Sequence, residues 1–142
     1  MPILFDSSVY IGALRSGGDA APVLQRWARE TPLWLSSVVL EELYAGAARS
    51  DHRIIEKLER DFERARRVLV PSLGDWAHTG RVLGRLAEKF GYEEIGRTRL
   101  TNDALIATSA GRAGITIVTV NRRDFGRLAE FCPFEWQARA IP

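Results

Sequence analysis

The sequence is poor in the residues that build disulfides and soft-metal sites. Its 142 residues include one cysteine, Cys132, and two histidines, His52 and His78. A single thiol can form neither an internal disulfide nor a thiolate metal cluster, so we expect a reduced, cytoplasmic protein. Both histidines lie on or beside charged helical stretches, which indicates solvated side chains. A catalytic site built on paired histidines is therefore not expected.

Long apolar runs and common ligand motifs are also missing. No window offers about 18 uninterrupted apolar residues, so no membrane span is expected. The first residues, MPILFDSS, have no basic region, so no signal peptide is predicted. GxxxxGK[ST], GxGxxG and GxSxG patterns are absent, which disfavours nucleotide-binding and hydrolase-elbow sites. A net charge of +2 with a pI near 9.0 permits a nucleic-acid partner without requiring one.

What is present is an alternation of short apolar runs with amphipathic stretches. Predicted strands cover residues 2–5, 33–36, 68–72 and 115–120, with an edge strand in 131–137. Predicted helices cover residues 8–14, 21–30, 37–49, 51–66, 74–90 and 101–114, with a short helix after the strand at 115–120. This order predicts one α/β domain over residues 1–142, with a central parallel sheet flanked by helices on both faces.

Ligand sites in such sheets lie beyond the carboxyl ends of the strands, and acids occur at several of these places. Asp6 ends the first strand, where a helix cap is the simpler interpretation. Glu42 lies at the edge of the apolar face of its helix, whereas Glu41 points away from that face. A half-buried Glu42 needs either an arginine partner or a function, since an unpaired buried carboxylate is costly.

Two further acids follow later in the chain. Asp103 falls in the middle of an apolar helical stripe, and Thr101 or Asn102 is available as the helix cap, so a functional role is favoured for Asp103. Asp124 follows the strand at 115–120 and could instead cap the next helix. Asn121 could equally be a turn residue.

Together the four acids predict a metal pocket. Converging carboxylates repel one another and resist ionisation unless a cation is present. A set of oxygen ligands suits Mg²⁺, or Mn²⁺, which also coordinate phosphate oxygens. Arginines accompany the acids and are predicted to bind phosphates, with ordinary surface charge as the alternative. These arginines are Arg97, Arg99, Arg122 and Arg123.

The chain resembles the PIN-domain ribonucleases of the VapC type, the toxins of bacterial toxin–antitoxin pairs. The matching pieces are DSSVYI at 6–11, ELYAG at 42–46, NDALIATSA at 102–110 and TVNRRDF at 119–125. They follow the family's order and span nearly the whole chain.

The resemblance implies a single PIN-like domain that cleaves RNA with Mg²⁺. It implies metal-binding roles for Asp6, Glu42, Asp103 and Asp124, with Ser8 supporting Asp6. Asn121 stands where some PIN domains carry an acid, so either Asn121 or Asp124 completes the pocket. A homodimer and a cognate VapB-like antitoxin that masks the site are also implied.

Two other functions compete with this one. A PIN-like scaffold with a weak pocket would serve as an RNA-binding or regulatory module, although such a module has no use for three mutually repelling acids. A phosphoacceptor receiver domain also has an acidic pocket on a parallel sheet. That fold needs a lysine after its last strand, and the only lysines, Lys57 and Lys89, lie on predicted helices.

Overall fold

A five-stranded parallel sheet forms the centre of the protein. The computed structural model describes residues 1–15, 29–91 and 100–139. The strands are β1 (Ile3–Phe5), β2 (Leu33–Ser36), β3 (Val68–Leu69), β4 (Thr116–Thr119) and β5 (Trp136–Ala138). Their order is β3-β2-β1-β4-β5, and every neighbouring pair is parallel. The predicted parallel sheet, including its C-terminal edge strand, is confirmed.

Six helices and one short 3₁₀ turn connect the strands in the described part of the chain. They are α1 (Ser7–Arg15), α2 (Ser37–Gly46), the 3₁₀ turn (Arg49–Asp51), α3 (His52–Arg64), α4 (Leu73–Phe90), α5 (Leu100–Ala113) and α6 (Arg122–Leu128). The chain moves one way across the sheet from β1 to β3 and the other way from β4 to β5. Because parallel crossovers are right-handed, these connections lie on opposite faces of the sheet.

The core is centred on the middle strand β1 and its neighbour β4. Leu4, Phe5, Ile117 and Val118 are buried almost completely, as parallel strands covered on both faces require. The register pairs Phe5 with Val118, so Asp6, which follows β1, lies beside Thr119, the last residue of β4. This register positions the site described below.

The first turn of α4 carries a buried polar anchor. Ser72 and Asp75 form a capping box, and Arg112 of α5 donates from Nε and Nη2 to the Asp75 carboxylate at 2.9–3.0 Å. Burial alone would raise the pKa of Asp75. The Ser72 backbone amide and Arg112 outweigh burial and hold that pKa below its usual range.

The apolar spacing in residues 74–90 predicts a face of α4 made of Trp76, Leu83, Ala87 and Phe90, and the anchor changes one end of it. Ala87 is buried, but Trp76 is 55% exposed, and Asp75 and Thr79 are buried in its place. Both polar side chains have partners, and the Thr79 hydroxyl bonds the Thr108 hydroxyl at 2.8 Å. Satisfied polar groups can face the core, so the buried stripe is rotated by about one residue from the hydropathy pattern.

Several predicted boundaries are also wrong. β3 ends at Leu69, because Pro71 has no amide to donate and Ser72 already caps α4. α2 ends at Gly46 instead of extending to about 49. α5 begins at Leu100, so Thr101 and Asn102 lie inside its first turn and neither is its cap. Most of the predicted helix at 21–30, and loop residues 92–99, lie outside the described residues.

Helix α5 passes very close to the chain after α6. A Cβ atom added to Gly111 would lie 2.3 Å from the Pro133 carbonyl oxygen. That approach is possible only for glycine, so Gly111 fixes how the C-terminal segment packs on α5. Within the described ranges, no helix combines the length and apolarity that crossing a bilayer requires.

Candidate active site

Three hydrogen-bond donors contact the Asp6 carboxylate at the end of β1. Asp6 is 3% exposed, and its backbone N–H donates to the Val118 carbonyl at 3.1 Å. The Ser8 backbone N–H donates to Oδ1 at 2.6 Å, and the Ser8 hydroxyl donates to the same oxygen. The Thr119 hydroxyl donates to Oδ2. Asp6 therefore caps α1 and at the same time presents a compensated carboxylate at the sheet edge.

Glu42 projects from α2, whose N-cap is Ser36. Burial, and then the negative charges of Asp6 and Glu41, raise the pKa of Glu42 to about 7, although the side chains of Ser7 and Asn102 partly oppose this. Glu42 Oε1 is buried and has no hydrogen-bond partner among the described residues. An orphaned carboxylate oxygen of this kind is a position where a cation would be stabilised.

Asp103 lies in the first turn of α5 and is half-buried. Burial, followed by the charges of Asp6, Glu42 and Asp124, raises the pKa of Asp103 to about 8. Because Coulomb effects weaken with distance, these effects on the pKa of Asp103 indicate that the four predicted acids lie in one region. We call Asp6, Glu42, Asp103 and Asp124 the acidic cluster.

Asp124 enters this cluster from α6, and Asn121 sets its position. Asn121 is the N-cap of α6: its Oδ1 accepts from the Asp124 N–H at 3.3 Å. Its Nδ2 donates to Asp124 Oδ2 at 2.9 Å. The cap interpretation of Asp124 is therefore wrong, because Asn121 is the residue that caps the helix. The Asp124 carboxylate instead acts electrostatically on Asp103.

Of the remaining predicted site residues, Ser8, Arg122 and Arg123 lie in the described part of the chain. Ser8 contacts Asp6 as expected, and Arg122 and Arg123 are exposed at the start of α6. Arg97 and Arg99 lie outside the described residues. Glu41 is exposed, as predicted, and accepts a hydrogen bond from Asn102 Nδ2 at 3.1 Å.

The carboxylates of the acidic cluster interact electrostatically, but their side chains are not arranged to coordinate a metal ion directly. In residues 1–15, 29–91 and 100–139, no three acid, histidine or cysteine side chains form a group that could hold one ion as they stand. Coulomb coupling acts over longer distances than a metal–oxygen bond, so the two observations agree. The donor chemistry fits a hard divalent cation, since every donor is an oxygen and Glu42 Oε1 has no hydrogen-bond partner in the described part of the chain.

Thr119 is the residue that sequence reasoning missed. It is fully buried at the end of β4, donates to Asp6 and accepts from the Asn121 N–H at 2.9 Å. A hydroxyl at the end of an otherwise apolar strand was a weak signal. Only the register of β1 against β4 shows that it meets Asp6.

A parallel α/β sheet with carboxylates gathered at its carboxyl edge is the arrangement of a PIN domain. The PIN domain family model matches residues 3–131, and the chain belongs to this family. PIN domains are generally nucleases and typically use divalent metals. By sequence, no curated protein matches the chain.

Solved structures share the whole fold. A chain of the DNA-bound VapBC complex from Salmonella typhimurium is 24% identical with a TM-score of 0.69, covering 97% of this chain and 98% of that one. A chain of VapBC2 from Rickettsia felis, bound to a promoter DNA fragment, is 22% identical with a TM-score of 0.62, covering 99% and 100%. A chain of VapBC-1 from nontypeable Haemophilus influenzae is 22% identical with a TM-score of 0.64, covering 97% and 98%.

Proposed function

We propose that this protein is a metal-dependent endoribonuclease and the toxin of a VapBC-like toxin–antitoxin system. The observation that carries the proposal is the acidic cluster, in which burial and mutual repulsion raise the pKa of Asp103 to about 8 and that of Glu42 to about 7. Such an arrangement is unfavourable for an apoprotein and favourable for one that binds a divalent cation.

In this proposal Asp6, Glu42, Asp103 and Asp124 hold Mg²⁺, with Mn²⁺ as a substitute. The chemistry that a bound ion would supply is polarisation of the phosphodiester and a lowered pKa of the water that hydrolyses it. Asp6 is aimed by Ser8 and Thr119, and Asp124 is held by the Asn121 amide. These hydrogen bonds fix two of the four carboxylates before any ligand arrives.

The arginines supply the complementary charge for RNA. Arg122 and Arg123 are exposed next to Asp124, and their guanidinium groups would bind the phosphates on either side of the cleaved bond. Arg97 and Arg99 are proposed to do the same from the preceding loop. Without such cations, the negative field of the cluster would repel a polyanion.

The proposed partner is a VapB-like antitoxin that covers the acidic cluster. The proposal is supported by the fold shared with chains of three VapBC complexes. We also propose a homodimer acting in the cytoplasm, where its single buried cysteine would stay reduced.

A cleavage assay tests this function. Purified protein should cut RNA in Mg²⁺ and lose that activity in EDTA, and Asp103→Asn should lose most of it. Asp61→Asn is the matched control, because Asp61 is an exposed acid paired with Lys57 on α3. Induction without a partner should arrest growth, and Asp103→Ala should relieve the arrest. Equal arrest by a folded Asp103→Ala would reject catalysis as the cause.

An RNA-binding module without catalysis is the second candidate. It is favoured by one observation, that the described acids do not already form a chelating group. This alternative predicts RNA binding that is indifferent to Mg²⁺ and to Asp103→Asn, with no metal-dependent cleavage. The same assay therefore separates the two functions.

A further inference from the structure

Two hydroxyl groups determine the direction of the Asp6 carboxylate. The Ser8 hydroxyl donates to Oδ1 and the Thr119 hydroxyl donates to Oδ2, so each oxygen has its own side-chain donor. Asp6 is 3% exposed and Thr119 is 0% exposed, which leaves no direct access for solvent to replace a lost donor. The carboxylate orientation therefore depends on these protein groups.

Backbone amides in turn orient the two hydroxyls. The Asn121 N–H donates to Thr119 Oγ1 at 2.9 Å, and the Val120 N–H lies 3.4 Å from Ser8 Oγ. A hydroxyl has one hydrogen and two lone pairs, so an oxygen that accepts from an amide directs its hydrogen elsewhere. For Thr119 the remaining partner is Asp6.

This arrangement joins two members of the acidic cluster. The amide that orients Thr119 belongs to Asn121, which also caps α6 and bonds the Asp124 carboxylate. A continuous path therefore runs from Asp124 through Asn121 and Thr119 to Asp6. Displacement of the turn between β4 and α6 would change both carboxylates together.

We infer that Thr119 is a positioning residue that aligns Asp6 with the Asn121–Asp124 turn for cation binding. The inference rests on the proposed function, because it concerns the same cluster. Groups that hydrogen-bond a ligating side chain typically change metal affinity by about 10–100-fold when removed. The Ser8 hydroxyl also donates to the Asp6 carboxylate, so removal of the Thr119 hydroxyl should weaken cation binding without abolishing it.

Calorimetric titration with Mn²⁺, in the absence of RNA, tests the inference. Thr119→Val removes the hydroxyl at nearly constant volume, and Thr119→Ser keeps the hydroxyl while removing the methyl group. Thr116→Val is the matched control, because Thr116 is 3% exposed at the opposite end of the same strand. Circular dichroism verifies that each variant is folded.

Thr119→Val should bind Mn²⁺ about 10–100-fold more weakly, whereas Thr119→Ser and Thr116→Val should bind like the wild type. Unchanged affinity in Thr119→Val would overturn the inference. Equal loss in Thr119→Val and Thr119→Ser would also overturn it, because packing and not the hydroxyl would then be responsible. If Thr119→Val does not fold, Thr119→Ala gives the same comparison with Thr119→Ser. Failure of the wild type to bind Mn²⁺ would instead reject the proposed metal site.

Discussion

Replacement of Asp103 by asparagine should stabilise the metal-free protein, and increasingly so as the pH rises. The pKa of Asp103 is raised from 3.8 to about 8 in the folded state. Between these values the folded protein keeps a proton that the unfolded chain has released. The free energy of unfolding therefore decreases with increasing pH across this window, and asparagine removes that dependence.

The size of the effect follows from the shift. At pH 7 the proton is held about three pH units above the ordinary pKa, and each unit corresponds to about 1.36 kcal/mol, giving an upper limit of roughly 4 kcal/mol. Asp103 retains some solvent contact and titrates together with its neighbours, so we expect about half of this, ~2 kcal/mol. For a chain of this length that is roughly 5–8 °C in Tm.

Thermal unfolding in EDTA at pH 5 and pH 7.5 is the assay. The Tm advantage of Asp103→Asn over the wild type should be small at pH 5 and several degrees at pH 7.5. Asp61→Asn, the exposed control, should show no such growing advantage. Addition of Mn²⁺ should raise the Tm of the wild type and reverse the order, since the variant has lost a proposed ligand. A Tm difference that is equal at both pH values would refute the raised pKa of Asp103 in the folded protein.

Three other measurements probe the surface and the core. Arg122→Ala combined with Arg123→Ala should flatten the salt dependence of RNA binding in Ca²⁺, with each lost phosphate contact removing roughly 0.7 from the log–log slope, and should leave Mn²⁺ binding intact. An unchanged slope would assign both arginines to surface charge. Asp75→Asn should destabilise the fold by about 1–3 kcal/mol above pH 5, because it removes the charge of a buried carboxylate that pairs with the exposed Arg112. The lowered pKa of Asp75 means that its stabilisation is lost as the pH falls, so a deficit that persists undiminished at low pH would contradict this account. In urea unfolding, Gly111→Ala should cost about 1–3 kcal/mol by overpacking, while Gly84→Ala, whose Cβ meets open space, should gain about 0.5–1 kcal/mol. Similar effects at the two glycines would rule out the close backbone approach.

The fold could be predicted because its strands are short apolar runs that end at acids or hydroxyls. Residues 2–5 and 115–120 have this character, and they became β1 and β4 at the centre of the sheet. The strand order and register were not accessible, since any parallel pairing satisfies the same hydropathy pattern. Thr119 was missed for this reason, because its role exists only when β4 lies directly beside β1.

The buried face of a helix was predicted wrongly where polar side chains are buried with hydrogen-bond partners. The apolar pattern put Trp76 on the inward face of α4, but the capping box and the ion pair with Arg112 bury Asp75 instead and leave Trp76 exposed. At the start of α6 the sequence left the identity of the capping residue open. From the sequence Asp124 was a plausible cap and Asn121 a plausible turn residue, and only the hydrogen-bond pattern shows that Asn121 is the cap.

The outermost strands of the sheet are very short. β3 has two residues and β5 has three, and both lie at the edges in the part of the chain that the structure describes. An incoming strand from another polypeptide would find too few free amides and carbonyls to form a stable ladder, which protects the protein from edge-to-edge aggregation. A protein that associates with this domain should therefore engage its helices and loops and not extend its sheet.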